Sequence, residues 1–123
     1  MTFLGVALAL LGSCSNTNNQ ALAMKKFSTD PHSFAKPNEV YVTHLDWNAS
    51  VDFHNKVISA VATYSIVNQA EADSLFLDTD GLEIHRVVVD SNQEVSFRLH
   101  PEQEHLGRAL AIPIEKNSHQ VEI

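Results

Sequence analysis

Histidine is the residue type through which this chain could most readily bind a metal ion, since it occurs seven times in 123 residues. The helical zinc motif needs two histidines four residues apart, with a glutamate directly after the first. His100 and His105 are five residues apart, and Pro101 disfavours helix at His100. A solvated loop is therefore predicted there, and His44 and His54 are predicted to be surface histidines.

Other reactive arrangements are equally incomplete. The serines lack a Gly-x-Ser-x-Gly context, and the four glycines are too scattered to form a phosphate-binding loop. Asp78 and Asp80 flank Thr79, but calcium prefers six or more oxygen ligands, and Glu83 is the only nearby addition. A turn stabilised by aspartate side chains is predicted instead. The residues themselves thus indicate no catalytic, metal-binding or cofactor-binding position.

Cys14 is the one residue for which the surrounding pattern predicts a modification. An apolar run from Met1 to Leu11 leads into Leu11-Gly12-Ser13-Cys14, which resembles the lipobox of bacterial lipoproteins. The resemblance implies that residues 1–13 are a cleaved signal peptide. It also implies that the Cys14 thiol carries a diacylglycerol, which attaches the protein to the lipid bilayer. The protein would then be exported to the bacterial cell envelope, in the periplasm or at the outer membrane. The alternative is a chance cysteine within an ordinary signal peptide.

Composition narrows the class of protein. With 8 basic and 15 acidic side chains the formal charge is -7, which disfavours nucleic acid as a partner. A hydrophobic content of 44% is typical of a folded chain, and one cysteine excludes both an internal disulfide framework and a cysteine-rich zinc module. Residues 14–38 contain a polar stretch and two prolines, which predicts a tether or linker. Folded structure is expected from Glu39 to Ile123.

From Glu39 onward the hydrophobic pattern is that of strands. Residues from Tyr41 to Phe53 alternate with period two, and the odd-numbered face, which includes Trp47, is predicted to be the core face. The turn His54-Asn55-Lys56 separates this strand from a second one over Val57 to Val67, which predicts a hairpin. Further strands are predicted over Ser74–Asp78, Glu83–Val89, Val95–Leu99, Leu110–Ile114 and Gln120–Ile123.

Seven short strands with frequent turns predict an all-β fold, with antiparallel sheets arranged as a sandwich or saddle. The last predicted strand, Gln120–Ile123, has no turn or polar tail after it. A blunt edge of this kind leaves pairing groups open. We therefore expect the β-domain of residues 39–123 to be incomplete, with more sheet to follow.

The order of segments is similar to the amino-terminal β-domain of zinc-dependent aminopeptidases, the aminopeptidase N and leukotriene-hydrolase family. The resemblance is carried by Val42-Thr43-His44-Leu45-Asp46-Trp47, by Lys56 to Tyr64, and above all by Leu75-Phe76-Leu77-Asp78-Thr79-Asp80-Gly81-Leu82-Glu83-Ile84. That last segment is similar to the family pattern L-x-L-D-T-x-x-L-x-I. Coverage runs from about residue 30 to the end.

The resemblance implies a parent enzyme that removes amino-terminal residues from peptides with the help of zinc. It also implies that this region packs on the parent's catalytic domain. The family's G-x-M-E-N and H-E-x-x-H motifs do not occur between Met1 and Ile123, so the chain is expected to be inactive and free of zinc on its own. The alternative is a stand-alone β-sandwich lipoprotein that acts as a binding or structural module.

Overall fold

The computed structural model describes residues 23–123; the predicted signal peptide and Cys14 lie outside the described residues. The described part contains strands and no helix, which confirms the all-β prediction. Its eight strands are β1 (Val40–Asp52), β2 (Val57–Asn68), β3 (Ser74–Thr79), β4 (Val88–Val89), β5 (Gln93–Glu94), β6 (Arg98–Leu99), β7 (Arg108–Pro113) and β8 (Gln120–Glu122).

These strands form two antiparallel sheets. The larger has the order β1-β2-β8-β4-β5, and the smaller has the order β3-β7-β6. Between the sheets lies a cluster of aliphatic side chains, of which Val87, Ile112 and Val121 are completely buried and Leu110 is 1% exposed. We call this part of the domain the base. At about 25 cal/mol per Å² of apolar surface, its burial supplies the main stabilising contribution to the fold.

The β1-β2 hairpin is the longest paired element, and its register runs from Val40 opposite Asn68 to Asp52 opposite Val57. A β-bulge between Val42 and His44 shifts the register by one residue. The predicted alternation over the whole of β1 is therefore wrong, because the bulge exchanges the two faces of the strand. Before the bulge an even-numbered residue, Val40, is buried in the core cluster. After the bulge the odd-numbered residues lie on that side of the sheet.

Two predicted strands are shorter in the structure. Only Val88–Val89 of the predicted strand Glu83–Val89 is paired, and the segment Val95–Leu99 contributes only its last two residues, as β6. The turn between β4 and β5 explains part of this difference. Asp90 and Ser91 adopt positive φ angles of 51° and 65°, so the chain reverses early and β5 begins at Gln93 within the predicted loop.

The predicted linker contains no strand between Ala23 and Asn38, in keeping with its prolines, but it is attached to the domain at several points. The Lys25 N–H donates to Gln69 Oε1 at 2.8 Å, and the amide of Phe34 donates to Asp78 Oδ1 at 2.7 Å. The Ser33 hydroxyl donates to Asp78 Oδ2 at 2.6 Å. From Lys25 onward the segment is therefore an ordered lead-in along the sheets.

Candidate functional site

The outer part of the β1-β2 hairpin has one face made entirely of apolar side chains. In an antiparallel pair, directly opposite residues lie on the same side of the sheet. After the bulge, the register places four such pairs on one side: Leu45 with Tyr64, Trp47 with Ala62, Ala49 with Ala60, and Val51 with Ile58. We call these eight residues the hairpin apolar face.

The other side of the hairpin is mainly polar. Opposite pairs there include Asp46 with Thr63 and Ser50 with Ser59, while Val57 and Val61 are its apolar members. The hairpin is therefore amphipathic: one side is apolar and the other is mainly polar. Amphipathic strands of this kind bury their apolar side against another layer.

The smaller sheet does not supply that layer over the outer hairpin. Trp47 is 59% exposed, Val51 50%, Leu45 48% and Ile58 62%. The prediction that the odd-numbered side of β1 is a core face is thus wrong for the described residues, because the second sheet covers only the base. Phe53, predicted to be core like Trp47, lies at the turn and is 87% exposed.

The hairpin apolar face continues directly into the core side of the larger sheet. Tyr64 pairs with Val121, and Val121 pairs with Val89. Val121 and Val89 are buried, whereas Tyr64 is partly buried and its pKa is raised by that burial. The face is therefore an extension of the core surface beyond the edge of the smaller sheet. Contiguous exposed apolar side chains of this kind are typical of interaction sites.

The end of the hairpin is held by Asp52. Its Oδ1 accepts from the amides of His54 and Asn55 at 2.9 and 3.0 Å, and its Oδ2 accepts from Asn55 Nδ2 at 2.8 Å. The bonds from Asn55, backbone first, hold the pKa of Asp52 below its usual value. Lys56 completes the turn at a φ of 56°. The hairpin thus has a defined end, although neither sheet of the described residues packs against it there.

The histidines singled out in the sequence lie in different surroundings. His100 is partly buried, with its ring 6.2 Å from the Phe76 ring. His105 lies in an exposed turn beside Glu104. His44 and His54 are exposed, as predicted. Within residues 23–123 no group of three or more histidine, cysteine, aspartate or glutamate side chains is arranged to hold a metal ion.

Asp78 and Asp80 also have separate roles. Asp78 uses both carboxylate oxygens to hold the lead-in segment, while Asp80 is exposed beside Gly81, which has a φ of 62°. The chain bends at Asp80 and Gly81 as expected, but the prediction that aspartate side chains stabilise the turn is wrong for the described residues, because Asp78 bonds to the lead-in segment instead. Since the Asp78 oxygens already accept hydrogen bonds, a structural role accounts for this residue.

One polar cluster was not anticipated from the sequence. Asp90 Oδ1 accepts from the amides of His119 and Gln120 at 2.9 and 3.1 Å, and His119 Nδ1 lies 3.0 Å away. Partial burial raises the pKa of Asp90, but the hydrogen bonds from His119, Gln120 and Ser118 outweigh it and lower the pKa overall. The cluster connects the β4-β5 turn to the start of β8 and strengthens the base.

The described residues include no helix long and apolar enough to span a membrane. They form a two-sheet antiparallel β-domain with an uncovered apolar face and without a metal-binding cluster. An exposed apolar face on an antiparallel β-domain is typical of a surface that contacts another part of a protein. No family model matches the chain.

The chain is 31% identical over 94 residues to leucine aminopeptidase 2 of Candida albicans, which is 76% of this chain and 15% of that protein. It is 31% identical over 86 residues to leukotriene A4 hydrolase of Xenopus laevis, or 69% of this chain and 14% of that protein. Among solved structures, yeast leukotriene A4 hydrolase in complex with bestatin superposes with a TM-score of 0.70 at 25% identity. That superposition covers 80% of this chain and 16% of the enzyme.

The β-domain is a homologue of the amino-terminal region of leucine aminopeptidase 2 and leukotriene A4 hydrolase, as the segment order predicted. The matched region spans only about one seventh of the length of these relatives, 15% and 14% in the two proteins above.

Proposed function

We propose that this chain is the amino-terminal, non-catalytic region of an exported zinc-dependent aminopeptidase that removes amino-terminal residues from peptides. The observation that carries the proposal is the homology with leucine aminopeptidase 2, together with a superposition on a leukotriene A4 hydrolase that has bestatin bound. Both relatives are much larger than this chain. The catalytic domain of the same parent and its peptide substrates are accordingly the proposed partners.

Zinc would be held outside the residues described here. Residues 23–123 contain no suitable ligand cluster, and H-E-x-x-H does not occur in the 123-residue sequence. The role of this region is therefore structural. Its hairpin apolar face extends the core surface and would be covered by other parts of the parent, in the way that apolar strand faces are normally buried.

The experiment compares two proteins. The first is the 123-residue chain, and the second is the product of the reading frame continued through any downstream G-x-M-E-N and H-E-x-x-H motifs. We expect the longer product to bind zinc stoichiometrically and to hydrolyse aminoacyl chromogenic substrates, with loss of activity on chelation. The 123-residue chain should do neither. Chelator-sensitive hydrolysis by the 123-residue chain would contradict the proposal, as would a stop codon directly after Ile123.

Lipid anchoring is the second part of the proposal. It is supported by the lipobox-like Leu11-Gly12-Ser13-Cys14 after an apolar run. Labelled palmitate should enter the wild-type protein and leave it in the membrane fraction, whereas Cys14→Ala should be unlabelled and released. A Ser15→Ala variant is the matched control and should behave as wild type. Membrane retention of Cys14→Ala would contradict the anchor.

A further inference from the structure

The outer edge of β1 is the longest open strand edge among residues 23–123. β1 comes first in the sheet order β1-β2-β8-β4-β5 and has 13 residues. The edge strands β5 and β6 have two residues each, and the edge strand β3 is bonded through Asp78 to the lead-in segment. Proteins normally shorten or cover their edge strands, because an open edge is a template for pairing with another chain.

The backbone of β1 presents a row of hydrogen-bonding groups at this edge. Ala62 exchanges two hydrogen bonds of 2.9 Å with Ile123, on the β8 side of β2. Its pair with Trp47 is therefore non-hydrogen-bonded, and the N–H and C=O of Trp47 point away from β2. Successive residues alternate, so every second residue after the bulge presents its two groups in this way. These residues are Leu45, Trp47, Ala49 and Val51.

The sequence of this edge contains none of the usual features that prevent pairing. After the bulge β1 runs regularly from His44 to Asp52, and this stretch contains no proline and no lysine. Proline and lysine are residues that commonly protect exposed edges. The lead-in segment contacts the start of the strand, where the Phe27 ring lies 5.0 Å from the Tyr41 ring. Beyond it, no strand of residues 23–123 pairs with the outer edge.

The polar side chains of this stretch are complementary to those of a second copy. In an antiparallel pair of two β1 strands, a register centred on Asn48 matches the whole stretch from His44 to Asp52. His44 of each copy then lies opposite Asp52 of the other, which places an imidazole beside a carboxylate at both ends of the pair. Opposite charges at such positions are favourable.

Other registers that keep the two faces aligned are less favourable. Moving the centre to Ala49 places Asp46 of one copy opposite Asp52 of the other, and like charges directly opposite are destabilising. Moving the centre to Trp47 leaves His44 without an opposite carboxylate. The charges therefore favour the register that is also the longest.

The apolar side chains fit the same register. Leu45 lies opposite Val51 of the second copy, and Trp47 lies opposite Ala49, so the bulky indole is beside a small side chain. These four residues carry the outward backbone groups. Each therefore exchanges two backbone hydrogen bonds with the residue opposite it.

We infer that the outer edge of β1 pairs with the same edge of a second copy of this chain, antiparallel and about a two-fold axis at Asn48. The two larger sheets then form one continuous sheet across an isologous contact. The contact is made by the backbone at the edge, so another layer can still cover the hairpin apolar face. This pairing does not depend on the proposed function.

Cysteines on the polar side test the register. Asn48 lies opposite Asn48 of the second copy in a non-hydrogen-bonded pair, where Cα atoms about 4.5 Å apart permit a disulfide. Ser50 lies opposite Asp46, and the Ser50 residues of the two copies are about 13 Å apart along the strands. These three side chains are exposed, and each is replaced by cysteine together with Cys14→Ala, which removes the single native thiol.

Under mild oxidation, Asn48→Cys should form a covalent dimer at least about tenfold faster than Ser50→Cys, because pairing raises the effective concentration of the two thiols. A mixture of Ser50→Cys and Asp46→Cys should form the mixed dimer at a rate close to that of Asn48→Cys.

Sedimentation velocity provides a second measurement. Ala49→Pro should lose the dimer, since proline removes an N–H that points away from β2 and blocks the edge. Ala49→Val retains this N–H and is the matched control, which should dimerise as the parent chain does. If Ala49→Pro is unfolded, the three cysteine variants decide alone.

Equal cross-linking rates for Asn48→Cys and Ser50→Cys would overturn the pairing, as would a chain that is monomeric at every concentration tested. Dimers of folded Ala49→Pro would also overturn it, by assigning the contact to another surface. No peptidase activity is measured, so failure of the longer product to hydrolyse peptides would count against the proposed function alone.

Discussion

Ile66 and Ile58 lie on the same face of the same strand, yet their surroundings differ completely. Ile66 is 4% exposed within the base, whereas Ile58 is 62% exposed near the end of the hairpin. The two have the same side chain and the same strand geometry, so the difference comes from the second sheet, which covers the base alone. The comparison shows that an apolar strand face predicts burial only where another layer reaches it.

The largest expected effect is the difference between truncating these two isoleucines. Ile66→Ala should lower the free energy of unfolding by about 2–5 kcal/mol, because it removes buried methyl groups and leaves a cavity. Ile58→Ala should change it by less than about 0.5 kcal/mol, as is usual at exposed positions. Urea denaturation of the 123-residue chain measures both values. Equal losses would show that the hairpin face is already covered.

Two glycines test how tightly the base is packed. A Cβ on Gly107 would lie 2.2 Å from Thr79 O, whereas a Cβ on Gly81 meets nothing within 4 Å. Both residues have positive φ, so alanine at either position costs about 1 kcal/mol of backbone strain. Gly107→Ala should destabilise by a further ~1–3 kcal/mol, because the backbone carbonyl of Thr79 must move. Similar thermal midpoints for the two variants would contradict tight packing here.

The Asp90 cluster predicts how the base responds to acid. Since the pKa of Asp90 is lowered in the folded state, its contribution to stability is present above the ordinary aspartate pKa of 3.8 and is lost as the pH falls through the folded-state pKa. Asp90→Asn should cost about 1 kcal/mol at neutral pH and reduce the loss of stability below pH ~4. Urea midpoints recorded from neutral to acidic pH test this. An unchanged acid profile would contradict the role of the Asp90 carboxylate.

The smallest effect on stability is expected on the hairpin apolar face. Trp47→Ser and Val51→Thr should each alter the free energy of unfolding by no more than about 0.5 kcal/mol, because both side chains are half exposed or more. Both changes should reduce self-association, since exposed apolar patches promote it. Sedimentation velocity measures this, with the polar-face variant Ser50→Thr as control. Undiminished association would place the contact elsewhere.

Features that depend on a few neighbouring residues can be predicted from the sequence. The turn at residues 54–56, the second strand and the turn at Gly81 follow from polar and glycine residues between alternating segments. The alternation from Leu45 to Val51 was also correct, and the resemblance carried by Leu75 to Ile84 was confirmed by homologues.

The local sequence pattern does not show which element covers each strand face or which strand pairs with each strand edge. The bulge at Val42/His44 depends on the register with β2, and the exposure of Trp47 depends on the extent of the smaller sheet. Only Val88 and Val89 of the predicted strand Glu83–Val89 are paired, because β5 and β8 lie beside these two residues alone. The one local sign of an exposed apolar surface is Phe53, an apolar residue beside the turn at residues 54–56.

The central claim is that none of residues 23–123 covers the hairpin apolar face, although this face is suited to contact with another layer. Trp47 is the single tryptophan of the 123 residues and lies on that face, so its fluorescence reports on the face alone. In the folded, monomeric 123-residue chain we expect red-shifted emission and acrylamide quenching close to that of an exposed indole, in keeping with its 59% exposure. Blue-shifted emission with weak quenching in the folded monomer would contradict the claim.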